Sequence, residues 1–472
     1  MKLETIDIDR TLRSVRKLPD TERGLSPTMK SSLELLLLIV TLLVNRLGLS
    51  SKNSSKPPST DPNRQKAKKT AGKRKPGGQK GHRGTTLRKV DDPDIVHDLM
   101  VQPEELPKSP YREVEPETRQ AIDIDILKLV TEYRAQVLED QNGKRTVAKF
   151  PEDITRPVQY GVNVKAHAVY LSQSQLIPYN RVAENLKDQF GISVSEGSIY
   201  NFNEDVCNRL EELERILKNR LRHEKLLHAD ETGINIDAKR HWLHCLSNSK
   251  WTWFYPHHKR GNDAMNAMEV LPDYSGILCH DHWKPYFKYN CSHALCNAHH
   301  LRELERSWEQ DDQRWAKEMQ DLLLEINQAK EKNGGKVKPI DSARFKTRYR
   351  GILKKGDSES PPPDKSERKG KRGRIPKTKS RNLLERLRDF ETETLRFMDD
   401  PIVPFTNNQG ENDIRMTKVQ QKISGCFRSF RGAGIFCRVR SYLSTCRKHD
   451  MSSTEALSLL FKGQLPDFCK TC

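Results

Sequence analysis

The chain has 472 residues, room for about three domains at roughly 150 residues each. Its apolar share is 35%, short of the roughly 45–50% of an average globular protein even with glycine added, so part of it lacks a packed core. The net charge of +19 is concentrated in two segments. Residues 52–89 hold 13 basic residues against Asp61, and residues 365–381 hold nine against Glu367, which leaves the rest of the chain near neutral. Such runs bind polyanions by releasing counterions from phosphates, although solvated linkers or a targeting run would look similar.

The first clear element is a helix over 29–49. Met29, Leu33, Leu36, Val40, Leu43 and Leu47 alternate spacings of four and three, a coiled-coil seam about three heptads long that Gly48 stops. Self-association as at least a dimer follows, the competing reading being a helix packed on its own domain. The run Leu35–Val44 is interrupted by Thr41 and is far shorter than the ~20 residues of a membrane span, and it starts too late for a signal peptide. The ten cysteines lie between Cys207 and Cys472 and do not read as a secreted disulfide framework, so a reducing, cytoplasmic compartment is expected.

Residues 51–92 read as a basic tether. SSKNSSKPPSTDP is proline-broken and KRKPGGQKGHRG is glycine-rich, and neither can bury a core. Lys73, Arg74 and Lys75 are its candidate phosphate contacts. A DNA-binding domain is expected over 93–222, with a helix-turn-helix over 179–206. Val182, Leu186 and Phe190 have helical spacing, Gly191 breaks it, and Ser193 with Glu196 reads as a capping box for a second helix facing inward through Ile199 and Phe202. An ordinary helical hairpin has the same pattern.

From residue 223 the pattern becomes strand-like. EKLLHAD, RHWLHCLSN and WTWFYPH read as strands, GNDAMNAMEVL as a helix, GILCH and HALC as short strands, and LRELERSWE as a helix. That is the order of an α/β, RNase H-like mixed sheet whose first three strands are antiparallel. The core is expected over 223–304 and 382–450. A helical and basic insertion over 305–381 interrupts it: helix over 311–332, then a polar, proline-rich stretch. Residues 451–472 are a C-terminal tail.

Three acids fall where such a sheet would gather them. Asp230 is expected at the end of the first strand, Asp281 at the end of the fourth, and Glu411 at the start of a late helix. Three hard oxygen donors suit Mg²⁺ or Mn²⁺. Two ions ~3.5–4 Å apart can clamp the attacking and leaving oxygens of a phosphoryl transfer. With 64 acids in the chain, three at element ends can also arise by chance, and periodicity does not choose between Asp230 and Glu231.

The motifs SSKNSSKPPSTDP, GGQKGHRGTTL, PVQYGVNVKAHAVYLSQSQLIPYNR, HADETGINID, HDHWKPY, CNAHHLREL, NLLERL, VPFTNNQGENDIRMTKVQQKISGCFRSFRGA and RSYLSTCRKH follow one another from about residue 33 to 457. In these the chain resembles bacterial transposases of the insertion-sequence-66 family, TnpC type. The resemblance implies a DDE-type enzyme with an RNase H-like core that binds the element's terminal inverted repeats, cleaves a strand with two divalent metal ions and joins the freed 3′-OH to target DNA. It carries the acids to Asp230, Asp281 and Glu411, preferring Asp230 over Glu231. It also implies a nucleoid-associated bacterial protein that works with accessory proteins of the same element. Residues 93–206 contain no cysteine, so the zinc-binding domain of many relatives is not expected in the N-terminal region, and Asn412 stands where the family usually has arginine.

Around these acids, Arg415, Lys418 and Lys422 share a helix face with Glu411, and Arg428, Arg431, Arg438 and Arg440 extend a basic surface toward DNA. His299 opens the helix after the fifth strand and is a candidate active-site support. Cys291, His293, Cys296, His299 and His300 have zinc-type spacing, though strand alternation would scatter them over two faces. Trp242, Trp251 and Trp253 read as core, and Trp283, beside Asp281, as a residue that could reach a flipped base. The rival readings are a catalytically inactive, transposase-derived DNA-binding protein and a metal nuclease without strand transfer.

Overall fold

The computed structural model describes residues 26–47, 87–363 except six positions between 103 and 125, residues 375–470, and a few isolated positions before residue 54. Lys73, Arg74, Lys75 and most of the second basic run lie outside the described residues.

Helix α1 spans Pro27–Leu47. Its seam residues Met29, Leu36, Val40 and Leu43 are exposed. From 87 to 161 the described chain is almost wholly exposed and holds only a short hairpin, Val137–Glu139 against Arg145–Val147. Among the described residues, no helix is long and apolar enough to cross a membrane.

The packed body begins with α2 (Val162–Val169), α3 (Tyr179–Phe190), α4 (Glu196–Arg209) and α5 (Glu211–Arg222). Gly191 ends α3 at φ 61°, a left-handed turn that suits a residue without Cβ. The cap of α4 falls two residues later than the spacing suggested. Ser195, not Ser193, accepts from the Ser198 N–H, while the Ser193 carbonyl accepts from Tyr160. Val182, Leu186, Ile199 and Phe202 are buried in the same core as Leu227, Ala229 and Leu246 of the sheet. The helices up to residue 222 therefore pack on the sheet, and a boundary at 222 falls inside one continuous core.

Five strands follow: β1 (Leu226–Ile236), β2 (Lys239–Ser247), β3 (Thr252–His257), β4 (Ile277–His280) and β5 (Ser292–Leu295). They order as β3-β2-β1-β4-β5, with β1–β3 antiparallel and β4 and β5 parallel to β1. This mixed sheet is consistent with an RNase H-like core. One expected detail differs. Asp230 does not end β1, which runs on to Ile236 in a long hairpin with β2. The parallel pairing with β4 stops at His228, so Asp230 lies just beyond the point where β1 loses that neighbour.

Helices α6 (Asn297–Asp311), α7 (Arg314–Lys332), α8 (Pro339–Glu359), α9 (Lys379–Asp389) and α10 (Glu391–Asp399) form a second core with Cys279 and Ala294 of the sheet. The stretch after 335, read as polar and proline-rich, contains the 21-residue α8. Phe345, Tyr349, Ile352 and Leu353 are buried along it, and four apolar anchors at helical spacing outweigh its polar composition. Then α11 (Asn408–Ser424) and α12 (Phe430–Lys448) close over β1–β3 through Ile414, Phe427 and Phe436. A further helix, Ser453–Phe461, and a short one, Asp467–Lys470, join the first core.

Candidate active site

Strand alternation separates the two acids that the sequence left open. Leu227, Ala229 and Glu231 face the first core, whereas Leu226, Ile234 and Ile236 face the other two clusters, and Asp230 belongs to that second face. Glu231 is committed elsewhere: Arg260 donates to it at 2.9 and 2.6 Å, Tyr286 at 2.6 Å, and its side chain is 2% exposed.

The N-terminus of α11 is bolted beside Asp230 by Asn407, a residue that the sequence reading quoted within a motif but gave no role. Asn407 Nδ2 donates to the Ala229 carbonyl at 2.8 Å, its Oδ1 meets His228 Nδ1 at 2.7 Å, and its backbone N–H donates to Cys296 Sγ at 3.1 Å. The side chain thus ties the start of α11 to β1 and the backbone ties it to the end of β5, which sets Glu411 near the ends of these strands. Asp281 follows β4 directly, and its Oδ1 accepts from the Trp283 N–H at 3.1 Å. His299 stands in the first turn of α6, with Nε2 3.4 Å from Glu411 Oε1.

These groups act on one another electrostatically. Burial, then the charges of Glu231, Asp281 and Glu411, push the Asp230 carboxyl up to about 8. The neighbouring His299 ring holds Glu411 below the usual carboxylate range, with Arg302 adding to it and burial opposing. Glu411 Oε1 is nonetheless buried without a well-aligned hydrogen bond. A cluster of carboxylates that repel each other, one of them with an orphaned oxygen, fits a divalent cation. Among the described residues, the three metal-type donors mutually within 4.8 Å are Cys296, His299 and Glu411, and Asp230 and Asp281 are not part of that group.

The zinc-type donors fall into separate groups, and Cys296 and His299 stay together beside Glu411. Cys291 and His293 lie together with His280, His300 meets Asn297, and Cys296 Sγ is occupied by the Asn407 N–H.

The basic row divides. Arg415, Lys422 and Arg428 are exposed and have no hydrogen bond or ion pair among the described residues. Lys418 instead donates to the Gly233 carbonyl at 2.9 Å, and Arg431 pairs with Glu204 and Asn208. Arg438 bridges to Glu214, and Arg440 is buried against the Gln173 carbonyl, so these two hold α12 in place and are not surface contacts. Trp251 and Trp253 are core residues, but Trp242 is only half-buried, between arginines.

A five-stranded mixed sheet with acids near the ends of β1 and β4 and at the start of a late helix is consistent with an RNase H-like core. Residues 157–435 match the Transposase IS66 family, and residues 8–88 match a Family of unknown function (DUF6444). The first match spans more than half of the sequence, and the chain belongs to the IS66 transposase family. No curated protein matches it. Family membership implies DNA binding and transposition.

Proposed function

We propose that the protein is the DNA transposase of an insertion sequence, binding the element's terminal inverted repeats, cleaving a strand and joining the 3′-OH to target DNA. The observation that supports this reading is placement: Asp230 and Asp281 each lie two residues beyond the last β1–β4 register pair, His228 and Cys279, and Glu411 stands in the first turn of α11, which Asn407 ties to β1. These three would hold two Mg²⁺ or Mn²⁺ ions. Bound there, the ions supply the positive charge that stabilises the attacking and leaving oxygens. Asp230 gives up its raised proton to become a ligand. Asn407 fixes the helix that carries Glu411, and the Trp283 N–H orients Asp281. His299 restrains the Glu411 carboxylate and lies within reach of a scissile phosphate. Arg415, Lys422 and Arg428 extend from the same helix and the loop after it as free cations for the DNA backbone. Residues 52–89, with Lys73, Arg74 and Lys75, add sequence-independent affinity.

The exposed apolar seam of α1 supports assembly of at least two copies, as joining two element ends requires. The test is a reaction on labelled DNA carrying the element's ends, with Mg²⁺ or EDTA, for wild type and Glu411→Gln, with and without the element's other proteins. Metal-dependent cleavage and joining that the variant lacks is the expected result. End binding without cleavage in every arm would replace this reading with a DNA-binding protein that has lost catalysis.

A further inference from the structure

Next to the carboxylates, four side chains form a continuous stack that the reaction above does not use. The Arg240 guanidinium lies over the Trp242 ring at 4.9 Å. Arg260 lies over the same ring at 4.9 Å and over the Trp283 ring at 4.2 Å. The stack has a built foundation. Gly233 is the register partner of Trp242, and a Cβ there would come within 3.0 Å of Arg240 Nε, so the missing side chain is what lets Arg240 lie across the strand. Arg260 is oriented by the buried Glu231, which Tyr286 in turn holds.

The position matters as much as the composition. Trp242, Gly233 and Glu231 occupy the face of the β1–β2 hairpin opposite Asp230. Asp281, just past the end of β4, lies within electrostatic reach of both Asp230 and Glu231, and it accepts the backbone N–H of Trp283. A strand leaving the carboxylates past Asp281 therefore runs onto the stack. Arg240 and Lys284, near its two ends, are exposed and carry no ion pair among the described residues. Trp251 and Trp253, by contrast, are 5% and 2% exposed and belong to the core.

Half-buried indole planes flanked by unpaired cations suit a strand whose bases are free to stack and whose phosphates need a counter-charge. A fully paired duplex presents phosphates but keeps its base faces inside. We propose that the Arg240–Trp242–Arg260–Trp283 stack takes unpaired DNA nucleotides beside the carboxylate site, with bases on its two ends, the Arg240 guanidinium and the Trp283 ring, and phosphates on Arg240 and Lys284. Why a strand end is there rests on the DNA-cleaving reading; the binding itself does not.

The experiment measures binding of the full chain, in EDTA, to two labelled probes of the same sequence, one fully paired and one with a short unpaired end. Wild type should prefer the unpaired end. Trp283→Ala should weaken binding to that probe about tenfold and leave the paired probe unaffected. Arg240→Ala, at an exposed site that folding does not depend on, should reduce the same preference. Intrinsic tryptophan fluorescence should be quenched by a thymidine oligonucleotide in wild type and less so in Trp283→Phe, which keeps a ring in place. Equal affinity of wild type for both probes, or a preference that survives both Arg240→Ala and Trp283→Ala, would overturn the proposal. Because no metal is present, loss of this preference leaves the cleavage reading standing, and absence of cleavage leaves the preference standing.

Discussion

Replacing Asp230 by asparagine should stabilise the metal-free protein at alkaline pH. The Asp230 carboxyl sits at about 8, against an ordinary 3.8. Between those values the folded chain keeps a proton that the unfolded chain has released, so stability falls as pH rises from about 4 to about 8. Four units at ~1.4 kcal/mol each set a ceiling of about 6 kcal/mol. The site is partly open to solvent, and an effective dielectric of ~20 takes up about half, leaving ~3 kcal/mol. For a cooperative body of about 300 residues, with an unfolding entropy of ~2.1 cal/mol/K per residue, that is a shift of about 5 °C. Thermal melts in EDTA should find Asp230→Asn about 5 °C above wild type at pH 8.5 and only about 1–2 °C above it at pH 5. Adding Mn²⁺ at pH 8.5 should raise the wild-type melting temperature and leave the variant unmoved, because binding to the folded state alone stabilises it. A gap that does not grow with pH, or a variant that melts below wild type at pH 8.5, would show that Asp230 does not carry the repulsion assigned to it.

Other consequences are open to direct measurement. Asp281→Asn should lower strand cleavage by more than the ~10–100-fold that loss of an outer partner costs, with DNA affinity retained; a variant that still cleaves removes Asp281 from the mechanism. Asn407→Ala removes both side-chain contacts to β1 and should weaken Mn²⁺ binding ~10–100-fold in calorimetry, an effect that unchanged affinity would contradict. Gly356→Ala drives a methyl to 2.6 Å from Leu384 Cδ1 and should cost about 1–3 kcal/mol in urea unfolding by overpacking α8 against α9. Deleting residues 52–89 should flatten the salt dependence of DNA binding by about six in log–log slope if half of the 13 cations meet phosphates; an unchanged slope would place them off the DNA.

The sequence by itself carried the strand order, because period-two runs separated by turn residues are local signals, and the apolar alternation of EKLLHAD and RHWLHCLSN survives in β1 and β2. It also carried the charge segregation, a property of composition, and the family motifs that point to Asp230, Asp281 and Glu411. It missed α8, whose Phe345, Tyr349 and Leu353 sit among enough polar residues to dilute the pattern until the partner surfaces of α7 and α9 are present. Local patterning could not choose between Asp230 and Glu231, since alternation says only that they face apart. Burial of Glu231 against Arg260 and Tyr286, 29 and 55 residues away, turns Asp230 toward α11. The fate of each cation was likewise decided in three dimensions. Arg440 and Arg415 look alike in sequence, yet one is buried against a carbonyl and the other is exposed with no partner among the described residues, because a charge is committed or available only in relation to what the fold brings within hydrogen-bond reach.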